Sequence, residues 1–396
     1  MHPIQVSPRV WWVGALDWAV RNFHGYRTSR GTTYNAYLIT GEENILIDTV
    51  REPFFDEMLS RISQIIEPSQ IDHVISTHAE LDHTGAMPQL LEVAKPKSVM
   101  ASRMGVKALE AHFHWQQQVR PLKDGEKVVL GNTTMHFHDA RMLHWPDSML
   151  ALFQEEAVLF PNDAFGMHLC TSERFADELP QATLQYEASK YFANILLPFA
   201  GQVKKFKPKL MALLPEVKII APDHGPVWRQ DMAQIVNLYQ EWAAQKPLPK
   251  AIVAYDTMWQ STAKMARAVA AGLIGAGIKT EAMPLQAVHR SDVAAELMNG
   301  GALIVGSPTL NNDMMPTLAD LMSYLKGLKF KNKVGAAFGS YGWNGRAVGN
   351  LEKLLEGMGV NVVAKGVGVN YVPDGDALQQ CVALGEQVAA ALKERV

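Results

Sequence analysis

The sequence predicts an α/β protein of two domains, in which a metal-binding domain precedes a doubly wound parallel sheet. Twelve of the 13 histidines lie before residue 250, so candidate metal ligands belong to the first part of the chain. Residues 243–250 contain two prolines spaced by one residue, which disfavour both a helix and an inner strand and indicate a linker. After this linker, strand-like runs alternate with helix-like runs. We therefore expect domains at residues 1–246 and 247–396.

The bulk composition is typical of a soluble globular protein. The 396 residues are 48% hydrophobic and 19% charged, with a net charge of −3, so no basic excess indicates nucleic-acid binding. Residues 1–10 lack the apolar core of an export signal, and no run of 18 apolar residues occurs. The two cysteines, Cys170 and Cys381, indicate a reducing, cytoplasmic compartment and are too few for an in-chain iron–sulfur or rubredoxin centre, which requires about four thiolates.

The segment after the apolar run 71–75 carries the strongest chemical signal. Residues 76–83 place two imidazoles and two carboxylates within six positions, and these are ligand types of divalent metals. The alternative is a polar surface loop that happens to hold two histidines, but chance rarely concentrates four such residues at this spacing. Four ligands in one loop are enough to serve two ions. They are His78, Glu80, Asp82 and His83.

Three later segments each offer one further ligand between hydrophobic neighbours. His144, Asp163 and His224 each follow or end a strand-like run. Such strand ends are where rigid scaffolds usually carry their chemistry, so we expect these side chains to complete the metal site.

The ligand pattern resembles a known family. Residues 78–83 resemble the His-x-His-x-Asp-His signature of the metallo-β-lactamase fold, with Glu80 where the hydrolases have their second histidine. An anionic oxygen ligand suits iron better than zinc. The seven residues together resemble, in order and context, the diiron site of the flavodiiron proteins. The flanking segments that share this resemblance are Asp17–Trp18, Phe23–Tyr26, Gly31–Tyr37 and Ser172–Phe175.

The resemblance implies a metallo-β-lactamase-like αββα sandwich with a specific ligand set. His78, Glu80 and His144 would hold one iron, and Asp82, His83 and His224 would hold the other. Asp163 would bridge the two irons. Two further residues, His24 and Tyr191, fall in family-like segments and are candidates for lining the substrate pocket, although a structural role is almost as plausible for each.

Other histidines are interpreted structurally. His136 and His138 lie two apart on a predicted strand and therefore share one face, which we expect to be solvated. His112 and His114 lie in an aromatic-rich helical segment and are expected to be structural.

The second domain is predicted to be flavodoxin-like. Five strand-like runs occur after the linker, and helix-like runs such as Ser261–Ile274 separate them. Five parallel strands in a domain of this length are typical of a flavodoxin-like doubly wound sheet. The predicted strands are residues 251–255, 279–283, 301–306, 333–338 and 360–364.

Three loops after these strands predict an FMN site, because ligands of such sheets bind beyond the carboxyl ends of the strands. Residues 256–262 offer hydroxyl groups and a helix N-terminus suited to a phosphate monoester. Residues 339–344 combine glycines, which allow close approach, with aromatic rings that can stack on a flat heterocycle. With residues 307–311 included, the predicted cofactor-binding residues are Thr257, Met258, Trp259, Gln260, Ser261, Thr262, Pro308, Thr309, Leu310, Asn311, Ser340, Tyr341, Gly342 and Trp343.

The first of these loops is ambiguous when it is considered alone. It lacks the glycine of the usual flavodoxin phosphate loop, so a structural strand-to-helix turn fits it equally well. No Gly-x-Gly-x-x-Gly follows a strand, which argues against a nicotinamide domain. Residues 255–259 and 338–343 also resemble flavodiiron proteins, so the resemblance spans essentially the whole chain.

The resemblance implies a multi-electron reductase. In this family a diiron centre and FMN reduce O2 to water, NO to N2O, or both, and the two-domain form takes electrons from a separate rubredoxin. It also implies a head-to-tail homodimer, or a dimer of such dimers, in which the flavin of one subunit serves the irons of the other. The choice between O2 and NO depends on contacts around the ligands and on pocket shape, so the sequence leaves it open.

Two alternatives from other functional classes remain. A zinc hydrolase fused to a flavodoxin-like module is disfavoured by Glu80, and a non-catalytic electron carrier is disfavoured by the complete ligand set. A separate hypothesis concerns the donor. Lys326, Lys329, Lys331 and Lys333 precede the strand that leads to the third flavin loop and could steer an acidic rubredoxin, although an ordinary solvated face accounts for them too.

Overall fold

The computed structural model describes residues 2–115 and 117–396. They form two compact units, and unit 1 contains Met1–Phe23, Thr28–Tyr191 and Phe199–Gln240. Unit 2 contains His24–Arg27, Phe192–Pro198 and Glu241–Val396. Two short segments from the first part of the chain therefore belong to the second unit. A single boundary along the sequence cannot separate the two units. Within the described ranges, no helix is long and apolar enough to cross a membrane.

Unit 1 is built around two β-sheets. In the described part of the chain, the first sheet has seven strands, in the spatial order β1 (Ile4–Gln5), β2 (Val10–Trp12), β5 (Tyr37–Ile39), β6 (Asn44–Ile47), β7 (Ile71–Ser76), β8 (Ser98–Ser102) and β9 (Val119–Leu122). The second consists of β10 (Lys127–Leu130), β11 (Thr133–Asp139), β12 (Met149–Phe153), β13 (Val158–Phe160) and β14 (Ile219–Ile220). A separate ribbon pairs β3 (Ala15–Asp17) with β4 (Thr32–Tyr34).

Helices cover the sheets of unit 1. They are α1 (Phe55–Ile62), α2 (Leu81–Thr84), α3 (Met87–Ala94), α4 (Arg103–Phe113), α5 (Gln181–Tyr191), α6 (Ala200–Leu213) and α7 (Met232–Ala244), whose last residues fall in unit 2.

Strand β7 shows how the apolar residues build this fold. Ile75 packs with Phe137 and Phe160 in the core between the two sheets, whereas Val74 packs with Leu90 of α3 on the other side. Successive side chains of a strand point to opposite faces, so one buried strand serves both cores. The predicted sandwich of helices and two sheets is confirmed.

The outer face of β11 differs in part from the prediction. His136 and His138 do share a face, with ring centroids 4.0 Å apart, but His138 is only 6% exposed. Burial, followed by the neighbouring His136, lowers the pKa of His138 to about 4, so this imidazole is neutral near pH 7. The prediction of a solvated face is wrong for His138, which is buried beside the ion pair between Lys209 of α6 and Asp124.

Unit 2 is a doubly wound parallel sheet, as predicted. Over residues 241–396, which are all described, its strands are β15 (Lys250–Tyr255), β16 (Lys279–Pro284), β17 (Ala302–Gly306), β18 (Val334–Tyr341), β19 (Asn361–Val362) and β20 (Val367–Asn370). The spatial order is β16-β15-β17-β18-β19, and β20 also pairs with β18. The helices are α8 (Ser261–Gly275), α9 (Arg290–Met298), α10 (Pro316–Leu328), α11 (Arg346–Gly357) and α12 (Gly375–Lys393).

The last predicted strand is replaced by two shorter ones. Residues 361–362 pair with the start of β18, and residues 367–370 pair with its end. Between them the chain leaves the ladder at Gly366, whose backbone N–H donates to Glu352. A Cβ at this position would lie 2.9 Å from the carbonyl oxygen of Ala337, so only glycine fits this close approach. The strand predicted over 360–364 is therefore confirmed at residues 361–362, and the second strand, at 367–370, was not predicted.

The lysines before β18 do not form the predicted surface cluster. Lys333 is 1% exposed and its ammonium donates to the carbonyl oxygen of Gly300. Lys326, Lys329 and Lys331 are exposed, but they precede the amino end of β18. Eight residues of strand span roughly 26 Å, several times the Debye length of about 8 Å at physiological salt. The steering prediction is wrong for Lys333, and the other three lie far from the loops at the carboxyl ends.

Candidate metal centre and flavin site

Buried carboxylates hold the loop that follows β7. The backbone N–H and the hydroxyl of Thr77 donate to Asp48 at 2.8 and 2.7 Å. The backbone N–H of Ala79 donates to Asp147 at 2.8 Å. Because the loop is fixed on both sides of His78, its side chains have defined directions before any metal binds.

The seven predicted ligands lie together. They come from the loop after β7 with helix α2, from the connection between β11 and β12, and from the loops after β13 and β14. Five of them are at most 5% exposed, and the remaining two are partly buried. The set is His78, Glu80, Asp82, His83, His144, Asp163 and His224.

Asp163 lies at the centre of this cluster, and its two oxygens face different histidines. Its Oδ2 is 2.7 Å from Nε2 of His144 and 3.6 Å from Nε2 of His78. Its Oδ1 is 3.5 Å from Nε2 of His83 and 3.6 Å from Nε2 of His224. Each oxygen of this one carboxylate thus faces a different pair of imidazoles, which is the arrangement that a bridging ligand requires.

Each side of Asp163 has its own second carboxylate. Glu80 Oε2 lies 3.1 Å from Nε2 of His144, and Asp82 Oδ2 lies 3.2 Å from Nε2 of His224. The side chains form two groups that share no residue, and within each group the ligand atoms lie within 4.8 Å of one another. A third group of the same kind overlaps both and joins His78, His83 and Asp163 to Asp223. One group is His78, Glu80 and His144 with Asp163, and the other is Asp82, His83 and His224.

The polar atoms of the cluster fit a pair of cations. Both carboxylate oxygens of Asp82 and Oδ1 of Asp163 are buried without a hydrogen-bond partner among the described residues, which is costly unless a ligand satisfies them. Burial lowers the pKa of His144, but its contacts with Asp163 and Glu80 raise it to about 9, so negative charge dominates its surroundings. Inward-facing imidazole nitrogens with three carboxylates suit two iron ions.

A further layer of aromatic side chains surrounds His224. Its Nδ1 donates to the carbonyl oxygen of Thr33 at 2.6 Å. The ring of His168 lies 4.7 Å from it, and the rings of Phe23 and Tyr191 lie 4.9 and 5.0 Å from His168. Sequence reasoning missed His168 and Phe23 as members of the site. Phe23 could have been found, because it belongs to one of the flanking segments that carry the family resemblance.

The two candidate pocket residues have different surroundings. Tyr191 is 1% exposed, and burial together with Asp163 raises its pKa well above the usual value, so its hydroxyl stays protonated. Its ring centroid is 6.0 Å from that of His224. His24 is exposed, has a left-handed backbone (φ +52°), and belongs to unit 2. The role of each residue stays a prediction.

Unit 2 contains a cavity of about 730 Å³ at the carboxyl ends of β15, β17 and β18. Trp259 and Trp343 stand at this cavity and are 89% and 93% exposed, so their faces are open to a flat ring. The predicted residues that line the cavity are Met258, Trp259, Ser261, Pro308, Thr309, Leu310, Asn311, Ser340, Tyr341, Gly342 and Trp343.

Three predicted flavin residues do not line the cavity. Thr262 is buried and its hydroxyl meets that of Ser340 at 3.0 Å, which ties the first loop to the third. Gln260 has a left-handed backbone (φ +66°) and precedes helix α8. Thr257 is buried, and its hydroxyl has no hydrogen-bond partner among the described residues.

The cavity has features that fit FMN. Ser261 begins helix α8, and the free N–H groups of a helix N-terminus favour a phosphate. The neighbouring hydroxyl of Thr257 has no hydrogen-bond partner among the described residues and can donate to the phosphate. Three lining residues lie outside the predicted loops, namely Asn312, Tyr371 and Val372, whereas Asn344 belongs to the third predicted loop.

Comparisons with known proteins identify both domains. A family model described as ODP family beta lactamase matches residues 32–225, and a flavodoxin model matches residues 253–385. The chain is 42% identical over 397 residues to the nitric oxide reductase of Moorella thermoacetica, covering 99% of this chain and 100% of that protein. It is also 42% identical over 388 residues to the rubredoxin-oxygen oxidoreductase of Megalodesulfovibrio gigas, covering 97% and 96%.

Solved structures show the same similarity over the whole chain. The rubredoxin oxygen:oxidoreductase from Desulfovibrio gigas aligns with a TM-score of 0.97 and 41% identity, covering 99% of each chain. The flavodiiron protein from Giardia intestinalis aligns with a TM-score of 0.96 and 32% identity, covering 100% of this chain and 98% of that one.

Proposed function

The chain belongs to the flavodiiron proteins, and we propose that it reduces O2 to water, NO to N2O, or both, with electrons that rubredoxin delivers through FMN. The observation that carries this proposal is the carboxylate of Asp163, whose two oxygens face two separate groups of imidazole and carboxylate ligands. We assign those seven residues as ligands of two irons, the cavity of unit 2 as the FMN site, and residues 1–246 and 247–396 as the two functional domains.

Two redox cofactors match the electron demand of these reactions. When bound, two ferrous ions and a fully reduced flavin supply up to four electrons, which is the number that turns one O2 into two waters, whereas two electrons turn two NO into N2O and water. The alternative of a zinc hydrolase explains neither the flavin cavity nor the carboxylate of Glu80 where the hydrolases have a histidine ligand.

The protein's own residues hold the geometry and control access. Imidazole Nε2 atoms face the centre of the cluster, and His224 is held in this orientation by its Nδ1 contact with Thr33. Buried aromatic rings around His224 exclude bulk water from that side of the site. We propose that Tyr191 and His24 line the substrate pocket, where the protonated hydroxyl of Tyr191 is available to donate to an oxygen atom of the substrate.

Rapid mixing under anaerobic conditions tests the proposed activity. We expect protein that contains iron and FMN and is fully reduced with rubredoxin to be oxidised by O2, by NO, or by both, with water or N2O as the respective product. The ratio of the two second-order rate constants gives the substrate preference. Loss of flavin reduction by rubredoxin, or inertness of the reduced protein toward both gases, would disprove the proposal.

We propose that rubredoxin, rather than a thiolate centre within residues 1–396, delivers the electrons. Cys170 and Cys381 are both buried single thiols, and a rubredoxin centre requires about four thiolates. We propose a cytoplasmic location, in keeping with two unpaired cysteines, and a rubredoxin that approaches an exposed edge of the flavin.

We also propose that the chain acts as a head-to-tail homodimer, or as a dimer of such dimers. The ligands of the irons and the cavity for FMN belong to different units of one chain. Electron transfer slows steeply with distance, so a second subunit that brings its Trp343 loop to the irons would provide a short path. We expect turnover per chain to fall as dilution dissociates the dimer, measured alongside mass by light scattering. A monomer with full activity at nanomolar concentration would contradict this proposal.

A further inference from the structure

We propose that Asp223 is a positioning residue that makes the two irons electrochemically unequal, by placing a negative charge behind His78. This inference rests on the proposed function, because it concerns the same pair of irons. Asp223 precedes the ligand His224 in the chain, yet its side chain points to the ligand of the other group.

The geometry links Asp223 to the outer nitrogen of His78. Nε2 of His78 faces the metal cluster, at 3.6 Å from Asp163, whereas its Nδ1 lies 3.4 Å from Oδ2 of Asp223. This distance is that of an ionic contact, slightly longer than a usual hydrogen bond. The imidazole of His78 therefore lies between Asp163 at its inner nitrogen and Asp223 at its outer nitrogen.

The carboxylate of Asp223 has no other way to satisfy its charge. It is fully buried, and its Oδ1 has no hydrogen-bond partner among the described residues. The hydroxyl of Thr77 lies 3.4 Å from Asp223 but 2.7 Å from Asp48, so its single proton belongs to Asp48. Leaving a buried carboxylate without a partner is costly, and the ring N–H of His78 is the donor that offsets this cost.

The backbone of Asp223 keeps its side chain in this place. Its N–H donates to the carbonyl oxygen of Asn162 at 3.0 Å, and its carbonyl oxygen accepts from the N–H of Asn35 at 2.8 Å. Two hydrogen bonds on opposite sides of one residue leave the carboxylate little freedom to turn toward another donor.

The second group of ligands has different outer contacts. Nδ1 of His224 donates to a neutral backbone carbonyl, that of Thr33. Nδ1 of His83 has no hydrogen-bond partner among the described residues. Asp223 is thus in direct contact with the outer nitrogen of His78, at 3.4 Å. It also falls within 4.8 Å of a ligand atom of His83, without a contact as short as the one with His78.

A carboxylate behind a ligating imidazole raises the basicity of that ligand and strengthens metal binding. The effect is larger for ferric than for ferrous iron, because the extra charge interacts with the greater positive charge. The iron held by His78, Glu80 and His144 is therefore the one that loses its electron first, and the mixed-valent state is stabilised with its ferric ion on this side.

The test removes charge without changing size. Asp223→Asn keeps the shape of the side chain and removes its charge, and Asp56→Asn is the matched control, because Asp56 is an exposed carboxylate of helix α1 in the same unit. Iron-loaded wild type and both variants are titrated electrochemically, with the mixed-valent signal followed by electron paramagnetic resonance.

We expect Asp223→Asn to weaken ferric binding relative to ferrous binding at this iron by at least tenfold. The reduction potential of the first step should therefore rise by at least about 59 mV, the value for a tenfold change in a one-electron couple. The second step should move less, because Asp223 is in direct contact with His78 and not with a ligand of the other iron, and Asp56→Asn should match wild type. The window in which the mixed-valent signal is seen therefore narrows only in Asp223→Asn. Equal shifts of both steps, or no shift, would overturn the inference.

A metal-binding measurement covers the case in which Asp223→Asn loads iron poorly. Cobalt(II) titration of the metal-free proteins should show one binding step weakened 10- to 100-fold in Asp223→Asn, the usual range for removing such a partner, with the other step unchanged. His144→Ala identifies the step that belongs to the His78 group. Equal weakening of both steps contradicts the inference. Wild-type protein that binds no iron pair would instead contradict the proposed function, so the two failures are distinct.

Discussion

Replacement of Asp163 by alanine is expected to abolish the iron pair. Two divalent ions about 4 Å apart repel each other by roughly 16 kcal/mol at an effective dielectric constant of 20, four times the value for unit charges. A shared anion offsets this repulsion, and Asp163 is the carboxylate whose two oxygens face both ligand groups. Purified Asp163→Ala should contain at most one iron per chain, and its turnover with either gas should fall well over 100-fold, beyond the effect of removing an outer partner.

The measurement is iron content by mass spectrometry, with FMN content as a check that the second unit has folded. Asp56→Ala is a suitable control, because Asp56 is an exposed carboxylate of helix α1 in the same unit. It should retain two irons and full turnover. If Asp163→Ala also kept two irons per chain, Asp163 would not be the bridge.

The metal ligands could be predicted from sequence because they lie at strand ends in short, recognisable segments. His78 and His83 share one loop, and His144, Asp163 and His224 each follow an apolar run. The residues behind them could not be predicted in this way. Asp223 meets His78 only because the loops after β14 and β7 converge in the folded chain, and an acidic residue beside a ligand does not reveal which histidine it faces.

The residues of the flavin site could be predicted wherever the preceding strand had been predicted correctly. Loops after β15, β17 and β18 line the cavity, in agreement with the rule that ligands bind beyond the carboxyl ends of parallel strands. Tyr371 and Val372 were missed because the last strand was placed at 360–364, whereas β20 ends at Asn370, directly before them. The same rule would have found both residues if Gly366 had been recognised as the point where the chain leaves the ladder.

Lys333 shows the limit of composition arguments for charged residues. Lysine is almost never fully buried unless it is paired, so a run of four lysines suggested a solvated face. In the structure, Lys333 is 1% exposed and has a backbone carbonyl, that of Gly300, as its hydrogen-bond acceptor. Burial lowers its pKa from 10.5 to about 8. A buried ammonium with no carboxylate beside it destabilises the fold, and this leads to a second prediction with a large effect.

Lys333→Met should stabilise unit 2 near pH 7. Below pH 8 the lysine is protonated in both the folded and the unfolded chain, and a shift of about 2.5 pKa units corresponds to roughly 3 kcal/mol of destabilisation. Methionine removes this cost. The carbonyl of Gly300 then loses its hydrogen-bond donor, which lowers the stability by about 1 kcal/mol. The net gain in the free energy of unfolding is expected to be about 1–2 kcal/mol, measured by denaturation with flavin fluorescence as the signal.

The dependence of this gain on pH identifies its cause. As pH rises from 8 to 10.5, the folded chain loses the proton of Lys333 while the unfolded chain still holds it, so the unfolded state binds more protons and wild-type stability rises with pH. The advantage of Lys333→Met should therefore shrink across this window, reach zero before its upper end, and reverse slightly by pH 10.5, where the lost hydrogen bond to Gly300 still costs about 1 kcal/mol. Lys331→Met, at an exposed neighbour, should change little at any pH. A gain of equal size at pH 7 and pH 10 would assign the effect to apolar packing, because removal of a buried charge cannot stabilise a fold in which that charge has already been lost.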